Sequence, residues 1–600
     1  MYYLLQERSK FYLVKAPDLA GPCLFIETRS FTMNKKKSSI ESFGVSLGSA
    51  PVPSPAAKKL EPWNVLICSD FGFKSTEPEP LRISDWNEFM ESKNISVSGT
   101  VENMLEPDGK PFFVEHSVRT MKDFSAETVL EKTGIVSSYA RVYQALSKLI
   151  SGACGEAEAL QAMESSGLTH TEKTRIRSMI GGGGPKSPAS EKPQSKTPRT
   201  GIDKILSMVD FKENQSGEKP ANPVQSTSDA FIANMAAGAG PSYQKGALEV
   251  YVSGLGKKLR DQVKAIQMQP FFASRKASWQ CLMDCARAIG RKNEIGLTVF
   301  SAQIEDMEEK FAGVLEHCIE SSTVPDIILW DFSVSFSNAD MDLMAKIAET
   351  ADQYKCALLA PLSMDDRFFE GLSRLDNLSS LFEDVRFLPF KKLRANPASR
   401  CICLCAPDMA FPGKEKSAGS QDAMIIARGG WALLERWIES LLYASDPFAV
   451  AALTAEDNKL LEDAVFSENI PLYLSKEASK TGITLFDRSP ATMTFDEAVA
   501  VIDSESAGAA YSSLAFNVLV NRVARLSVTR LSFLDSHKSK EAAAKDLCVF
   551  LQRELTPYHI LSSPDHVAVS IGKEGEIELV INSDVKVSGF PAQFSFSLNV

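Results

Sequence analysis

The chain has 600 residues, 44% of them hydrophobic and 24% charged, with a net charge of −11. That length exceeds one core and predicts two or three domains. The acidic balance excludes a phosphate-tracking nucleic-acid binder, which needs a dominant basic field, and no run of about 18 apolar residues exists to span a bilayer.

The first fifteen residues mix aromatics with Glu7, Arg8, Lys10 and Lys15. A signal peptide needs an uninterrupted apolar stretch instead. Met33, followed by Lys35, Lys36 and Lys37, is an alternative start. Residues 1–61 are expected to form a flexible arm, since Ser38, Ser39, Ser42, Pro51, Pro53 and Pro55 leave little to bury.

A first domain is predicted over residues 62–180. Val65-Leu66-Ile67-Cys68 reads as a short buried strand, ended by a turn at Asp70-Phe71-Gly72. Ser84 is a candidate cap for a helix carrying Trp86, Phe89 and Met90. Ile95, Val97 and Val101 suggest an extended segment. Ser125 is a second candidate cap. Beyond Gly134, the positions Ile135, Tyr139, Val142, Leu146 and Leu149 form the stripe of an amphipathic helix.

Residues 181–243 are expected to be a disordered linker, opening at Gly181-Gly182-Gly183-Gly184-Pro185. As a coil it would span about 45 Å. Within it, Ile202, Ile205, Leu206 and Val209 fall on one face of a short helix over 201–210. Such an island is either a docking peptide or a local turn.

A second domain is predicted over residues 244–600. It opens with a helix over 248–269, ended or kinked by Pro270. Ile327-Ile328-Leu329-Trp330 and Ala357-Leu358-Leu359-Ala360 read as buried strands flanking a helix, a parallel βαβ unit. Cys401-Ile402-Cys403-Leu404-Cys405 is a further strand, and 514–531 a strongly apolar helix. Alternation at Val567, Val569, Ile571, then Ile577, Leu579, Ile581, then Phe594, Phe596, Leu598 predicts three closing antiparallel strands. The fold class is therefore α/β, of mixed α+β character. It has two halves joined by a flexible linker, with mixed sheets, long helices and a terminal antiparallel sheet.

Catalytic and metal readings find little support. Lys257 follows Gly254-Leu255-Gly256, but Tyr251 stands where a phosphate loop needs glycine, so a helix start is expected there. Cys401, Cys403 and Cys405, and the pair Cys281 and Cys285, read as core thiols, because zinc prefers a CxxC-type turn and a second ligand pair. The eleven cysteines are scattered, as in a reduced cytoplasmic protein. The histidines show no paired metal spacing, and no Gly-x-Ser-x-Gly elbow exists. No cofactor is expected. Asp70 and Asp331 follow strands, where α/β enzymes keep carboxylates, yet both also form turns. Arg522, Arg525 and Arg530 suit either a protomer interface or a solvated face.

From 62 to 180 the chain resembles the small contractile-sheath subunit of type VI secretion systems (TssB/VipA/ImpB-like). The segments carrying this are Ser69-Asp70-Phe71, the helix around Asp85-Trp86-Asn87-Glu88-Phe89-Met90, and Asp123-Phe124-Ser125-Ala126-Glu127 before a long helix. From about 248 to 600 it resembles the large subunit (TssC/VipB/ImpC-like). Here the carriers are Gln269-Pro270-Phe271-Phe272, Ala277-Ser278-Trp279-Gln280, Asp331-Phe332-Ser333, the helix from Tyr511, and the strand after Gly589. No single motif is specific; their collinear order is the evidence, over about four fifths of the chain. The family's Arg-rich segment is replaced by Ala406-Pro407-Asp408-Met409-Ala410-Phe411-Pro412.

The resemblance implies a natural fusion of two subunits that are usually separate, whose two sheath-subunit halves are co-folded into one protomer, and a structural protein, not an enzyme. It implies a cytoplasmic helical homopolymer of a Gram-negative bacterium, wrapped around an inner tube (Hcp-like) protein and contracting to propel it. Baseplate proteins and an AAA+ disassembly unfoldase (ClpV-like) are the further implied partners, with no nucleic acid and no membrane insertion. The strand of Phe594, Phe596 and Leu598, with the arm over 38–60, is the implied inter-protomer link. The island of Ile202, Ile205, Leu206 and Val209 resembles the helix that unfoldase recognises. Two alternatives stay open: a cytoplasmic two-domain α/β enzyme using Asp70 or Asp331, and a sheath-like adaptor that does not polymerise.

Overall fold

The computed structural model describes residues 2–7, 10–15, 25–31, 60–180 and 242–598. Within these, 82–85, 107–108, 291–293, 364–381, 383, 413–423, 449–463, 468–469, 488–489, 491–494, 496–497, 504–511, 533–538, 573–575 and 588–589 are left out.

Among the described residues, three strands precede residue 60: β1 (Tyr2–Glu7), β2 (Lys10–Lys15) and β3 (Phe25–Phe31). Next come β4 (Trp63–Ser69), β5 (Glu79–Pro80) and α1 (Trp86–Ser92). The strands β6 (Ile95–Val101) and β7 (Phe112–Val118) form a hairpin. Four helices follow: α2 (Ala126–Lys132), α3 (Gly134–Ile150), α4 (Glu156–Glu164) and α5 (His170–Ile180).

After the linker come α6 (Ser242–Gln267), α7 (Pro270–Ile289), β8 (Ile295–Ser301) and α8 (Ile304–Glu320). Then follow β9 (Ile327–Trp330), α9 (Asn338–Gln353), β10 (Ala357–Pro361), α10 (Leu388–Ala395) and β11 (Ile402–Ala406). The chain continues with α11 (Gly429–Glu439), α12 (Leu472–Lys480), β12 (Ile483–Leu485), α13 (Leu514–Ser532) and α14 (Lys540–Leu555). It closes with β13 (Val567–Ile571), β14 (Ile577–Val587) and β15 (Phe590–Leu598).

Two compact units result, and each draws on both halves of the sequence. One holds residues 1–86, 280–411 and 426–600; the other holds 87–279 and 412–425. The first unit is built on a seven-stranded sheet in the order β12-β11-β10-β9-β4-β8-β5. All neighbours run parallel except β5, which is antiparallel to β8. This confirms the mixed α/β class and the parallel β9-α9-β10 unit. Side chains alternate between two covered faces. Leu66, Ile328, Trp330, Leu358 and Leu404 enter a core with Phe311 of α8 and Met344 and Ile347 of α9. The opposite face is covered by α11, which is buried all round, as both-sided burial of a parallel sheet requires. The two-residue β5, with Pro80 at the sheet edge, limits further pairing there.

The same unit carries a second sheet, in the order β13-β14-β15-β3. The three closing strands are antiparallel, as their alternation predicts. β3 adds to β15 in parallel.

In the second unit, α3 packs against α6, whose Gly256 lies under Tyr143. A Cβ at Gly256 would stand 3.0 Å from Tyr143 Cε2. The expected helix start at Lys257 is therefore incorrect: Gly254 to Lys257 lie inside α6. Gly256 serves close helix approach, not a terminus. Pro270 does mark a boundary; α6 stops at Gln267 and Pro270 opens α7 as its first residue.

Candidate functional site

The arrangement with most bearing on function is the insertion of β4 between two strands, β8 and β9, from the other side of the linker. β4 pairs with β8 from Trp63↔Ile295 to Ser69↔Ser301. On its other edge it pairs with β9, from Val65↔Ile327 to Cys68↔Trp330. Val65, Leu66, Ile67 and Cys68 are all buried. Each such apolar side chain contributes about 1.5–3 kcal/mol.

A buried charge cluster fixes the entry of β4. Asp326, just before β9, has a fully buried side chain and faces Arg522 of α13, which is 1% exposed. Arg522 Nη1 donates to Asp326 Oδ2 at 2.9 Å and to Oδ1 at 3.0 Å. The same guanidinium donates to the carbonyls of Glu61 (2.8 Å) and Pro62 (3.2 Å). It also lies 3.8 Å above the Trp63 ring, a desolvated cation–π contact. Arg525 adds an ion pair to Asp326 and donates to Pro325 O at 2.7 Å. The Asn64 N–H donates to Asp326 Oδ2 at 2.8 Å, and Asp326 N–H returns to Asn64 O at 2.7 Å. Upstream, Glu61 N–H donates to Glu554 Oε2 of α14 at 2.8 Å. The Trp63 ring meets Trp437 and Tyr558 edge-on, each at 5.7 Å. Arg522 is thus neither a solvated face nor an exposed interface residue, and that pair of readings is corrected for it. Arg530 pairs with Asp546 of α14.

The other end of β4 reaches the C-terminal edge of the sheet. In chain order its parallel strands run 6-5-4-3-1-2, so the order reverses between β4 and β9. Ligands of doubly wound sheets bind at that crevice. Here protein groups occupy it. Ser69 Oγ donates to Asp331 Oδ2 at 2.8 Å, and Arg428 Nη1 donates to Asp331 Oδ1 at 3.0 Å and to its carbonyl at 2.9 Å. Asp408 accepts from Gly429 N–H at 3.1 Å. Burial pushes the Asp408 carboxyl above its usual range; Asp331 adds to that, against Gly429 N–H and Arg428. The start of α11 is pressed against the strand ends. A Cβ on Gly429 would fall 2.7 Å from Pro407 O, and one on Gly430 2.8 Å from Leu329 Cδ1. Asp70 accepts from Gly72 N–H at 3.0 Å, and Gly72 adopts φ +83°, a turn that favours glycine.

In the second unit, residues 95–180 and α6 are joined by backbone-directed side chains. Gln262, fully buried, donates to Glu102 O at 2.9 Å and accepts from Met104 N–H at 2.7 Å. Lys258 donates to Leu105 O at 2.8 Å, and Gln267 to Phe124 O at 3.1 Å. Gly99 is needed because a Cβ there would fall 2.3 Å from the Phe271 ring.

Ser125 caps α2 by accepting from Thr128 N–H, as expected. Just before it, Asp123 accepts from Arg119 N–H (2.9 Å), Thr120 N–H (2.8 Å) and Lys132. Burial opposes its charge, but Lys132 and those N–H groups outweigh burial and hold the carboxyl below its usual range. Buried His116 donates from Nε2 to Asp123 O at 2.7 Å and accepts at Nδ1 from Thr133 Oγ1 at 3.4 Å. Burial lowers its pKa.

Below the unfolded value of about 6.5, the unfolded chain binds a proton that folded His116 refuses. Stability is therefore full above that pH and falls as pH drops below it. Urea unfolding from pH 7.5 to 5 is expected to show a steeper acid loss in the parent than in His116→Gln. Equal slopes would remove His116 as the cause.

Among the other sequence candidates, Ile202, Ile205, Leu206 and Val209 lie outside the described residues, as does the arm over 38–59. Phe594, Phe596 and Leu598 point into the core, with Phe594 edge-on to Phe516 at 5.9 Å. Cys401, Cys403 and Cys405 are fully buried; Cys403 contacts Thr484 Oγ1 at 3.3 Å. Cys281 and Cys285 are buried on α7, their thiols pushed up by burial first and by Glu435 next. Among the described residues no group of three His, Cys, Asp or Glu is placed to hold a metal. No described helix is long and apolar enough to cross a membrane.

No curated protein matches the chain. Residues 56–176, from just before β4 into α5, match the family model described as "Type VI secretion system, VipA, VC_A0107 or Hcp2". Over this fifth of its length the chain is similar to the small sheath protein of type VI secretion, and the match supports a sheath subunit.

Proposed function

We propose that this chain is a complete protomer of a type VI secretion contractile sheath, with small-subunit-like and large-subunit-like parts fused through residues 181–241. The observation that carries the reading is β4. β4, a strand of the VipA-like region, fills the gap between β8 and β9 of the remainder, and β5 of the same region pairs with the far edge of β8, so the remainder is built to receive that region. In a fused chain the one-to-one ratio is automatic, and the tether raises the effective concentration of each part for the other.

Such protomers polymerise in the cytoplasm of a Gram-negative bacterium into a helical tube around an inner tube protein. They start from a baseplate and contract by rigid-body rotation. Terminal strands link neighbours through backbone hydrogen bonds. The island of Ile202, Ile205, Leu206 and Val209 is the contact for an AAA+ unfoldase. The engagement of Asp331 by Arg428 and Ser69 weighs against catalytic use of that carboxylate.

Electron microscopy of the purified protein, alone and with its inner tube protein, tests the reading. Regular hollow tubes are expected. A sample that stays monomeric under both conditions rejects it. Leu206→Asp is expected to leave tubes intact while abolishing unfoldase binding.

A further inference from the structure

β15 lies between two partners of different kinds. On one side, β14 pairs with it in a ladder of eight residue pairs, from Ile577↔Leu598 to Val587↔Phe590. On the other side is β3, which comes from the opposite end of the chain and runs parallel. Parallel pairing is slightly weaker per residue. Both ladders shift register once, the β14 ladder between Asn582 and Lys586 and the shorter β3 ladder near its end. Gln593 to Phe596 pair in step with Phe25 to Thr28, and the register then shifts before Leu598↔Phe31.

The apolar face of β15 does not depend on its edge partner for register. Ala592, Phe594, Phe596 and Leu598 are buried in alternation, and Phe594 meets Phe516 of α13. What β3 supplies is the backbone ladder along an edge that has no other partner among the described residues, and an open edge is a template for another strand. Among the described residues β3 belongs to no other ladder, and β1 and β2 pair only with each other. About 30 residues of sequence join β3 to Glu61.

We infer that β3 is a self-capping strand: within one molecule it closes the β15 edge and keeps an extended segment of a second copy from adding there. The second copy as competitor rests on the proposed function; the cap itself does not. Capping is intramolecular and so independent of protein concentration, whereas strand addition by another copy is bimolecular. The cap holds until copies exceed the effective concentration that the covalent connection gives β3 at its own β15 edge. A chain beginning at Met33 lacks β3, together with β1 and β2, which pair only with each other, and retains every element from β4 onward. The capped and open forms thus differ in a single edge.

Two variants test this: the chain 33–600, and full-length protein carrying Ile26→Pro with Glu27→Pro. Successive residues of a strand turn their N–H groups to opposite sides, so one of the two prolines removes a donor facing β15. Hydrogen exchange on dilute monomer reads the cap directly. Faster exchange is expected within residues 593–598 in both variants, with protection of β4 and β9 unchanged. Sedimentation over a concentration series reads the consequence. Self-association is expected to begin at a concentration about tenfold or more lower than in the parent. A synthetic peptide of residues 22–34 is expected to reverse it. Unchanged exchange on β15 overturns the cap. Weaker self-association of 33–600 than of the parent also overturns it, since β3 would then be a strand given to neighbours. Neither readout requires tubes, so failure of the cap and failure of the sheath reading remain separate results.

Discussion

Asp326→Ala is expected to lower the free energy of unfolding by about 3–5 kcal/mol, the cost of leaving a buried ion pair half empty. The substitution strands Arg522, which is 1% exposed and holds the Glu61 and Pro62 carbonyls and the Trp63 ring. It also removes the carboxylate that accepts from Asn64 N–H, so β4 loses a bond at its first turn into the sheet. Arg522→Met is expected to cost less, because Arg525 still faces Asp326. The double variant Asp326→Ala with Arg522→Met is expected to be more stable than the sum of the single losses predicts, by at least about 1 kcal/mol. Chemical denaturation of the four proteins measures this coupling. Additive losses would show that the two groups do not act as one unit.

This cluster lies beyond what local sequence reveals, for a physical reason. Asp326 and Arg522 are far apart in the chain, and each reads alone as a surface charge, while Glu61 and Pro62 take part only through their backbone. Glu435, Arg436 and Glu439 give the same false cue on α11, which is buried on every side. What is legible is what burial writes locally. The apolar runs of β4, β9 and β10 are there to read because both faces of the sheet are covered. The stripe of α3 and the alternation of β13, β14 and β15 are legible because each buries one face. β8 is harder to see, since Gly296 interrupts its apolar run. Strand order leaves no such trace. Nothing in Trp63–Ser69 says that its neighbours are residues 295–301 and 327–330. Periodicity therefore finds the two stretches of secondary structure on either side of the linker, but not their interleaving.

That interleaving leads to the largest effect expected. When the chain is divided within the linker, neither fragment 60–180 nor fragment 242–600 is expected to fold cooperatively alone. The first fragment has β4 with no sheet to enter. The second has β8 and β9 with the strand between them missing, and Arg522 and Asp326 without the backbone they clasp. Losing Val65, Leu66, Ile67 and Cys68 from the core removes about 6–12 kcal/mol of burial, as much as the whole stability of a typical domain. The second unit loses as much sense when divided, because Gln262 and Lys258 of α6 satisfy backbone groups of residues 102–105. Co-expressed, the fragments are expected to recover a one-to-one complex with a single cooperative melt. Its midpoint should depend on concentration, because the tether no longer supplies the local excess of one part for the other. A fragment 60–180 that melts cooperatively alone, with dispersed amide resonances, would mean that β4 has another home and that the sheet tolerates its absence.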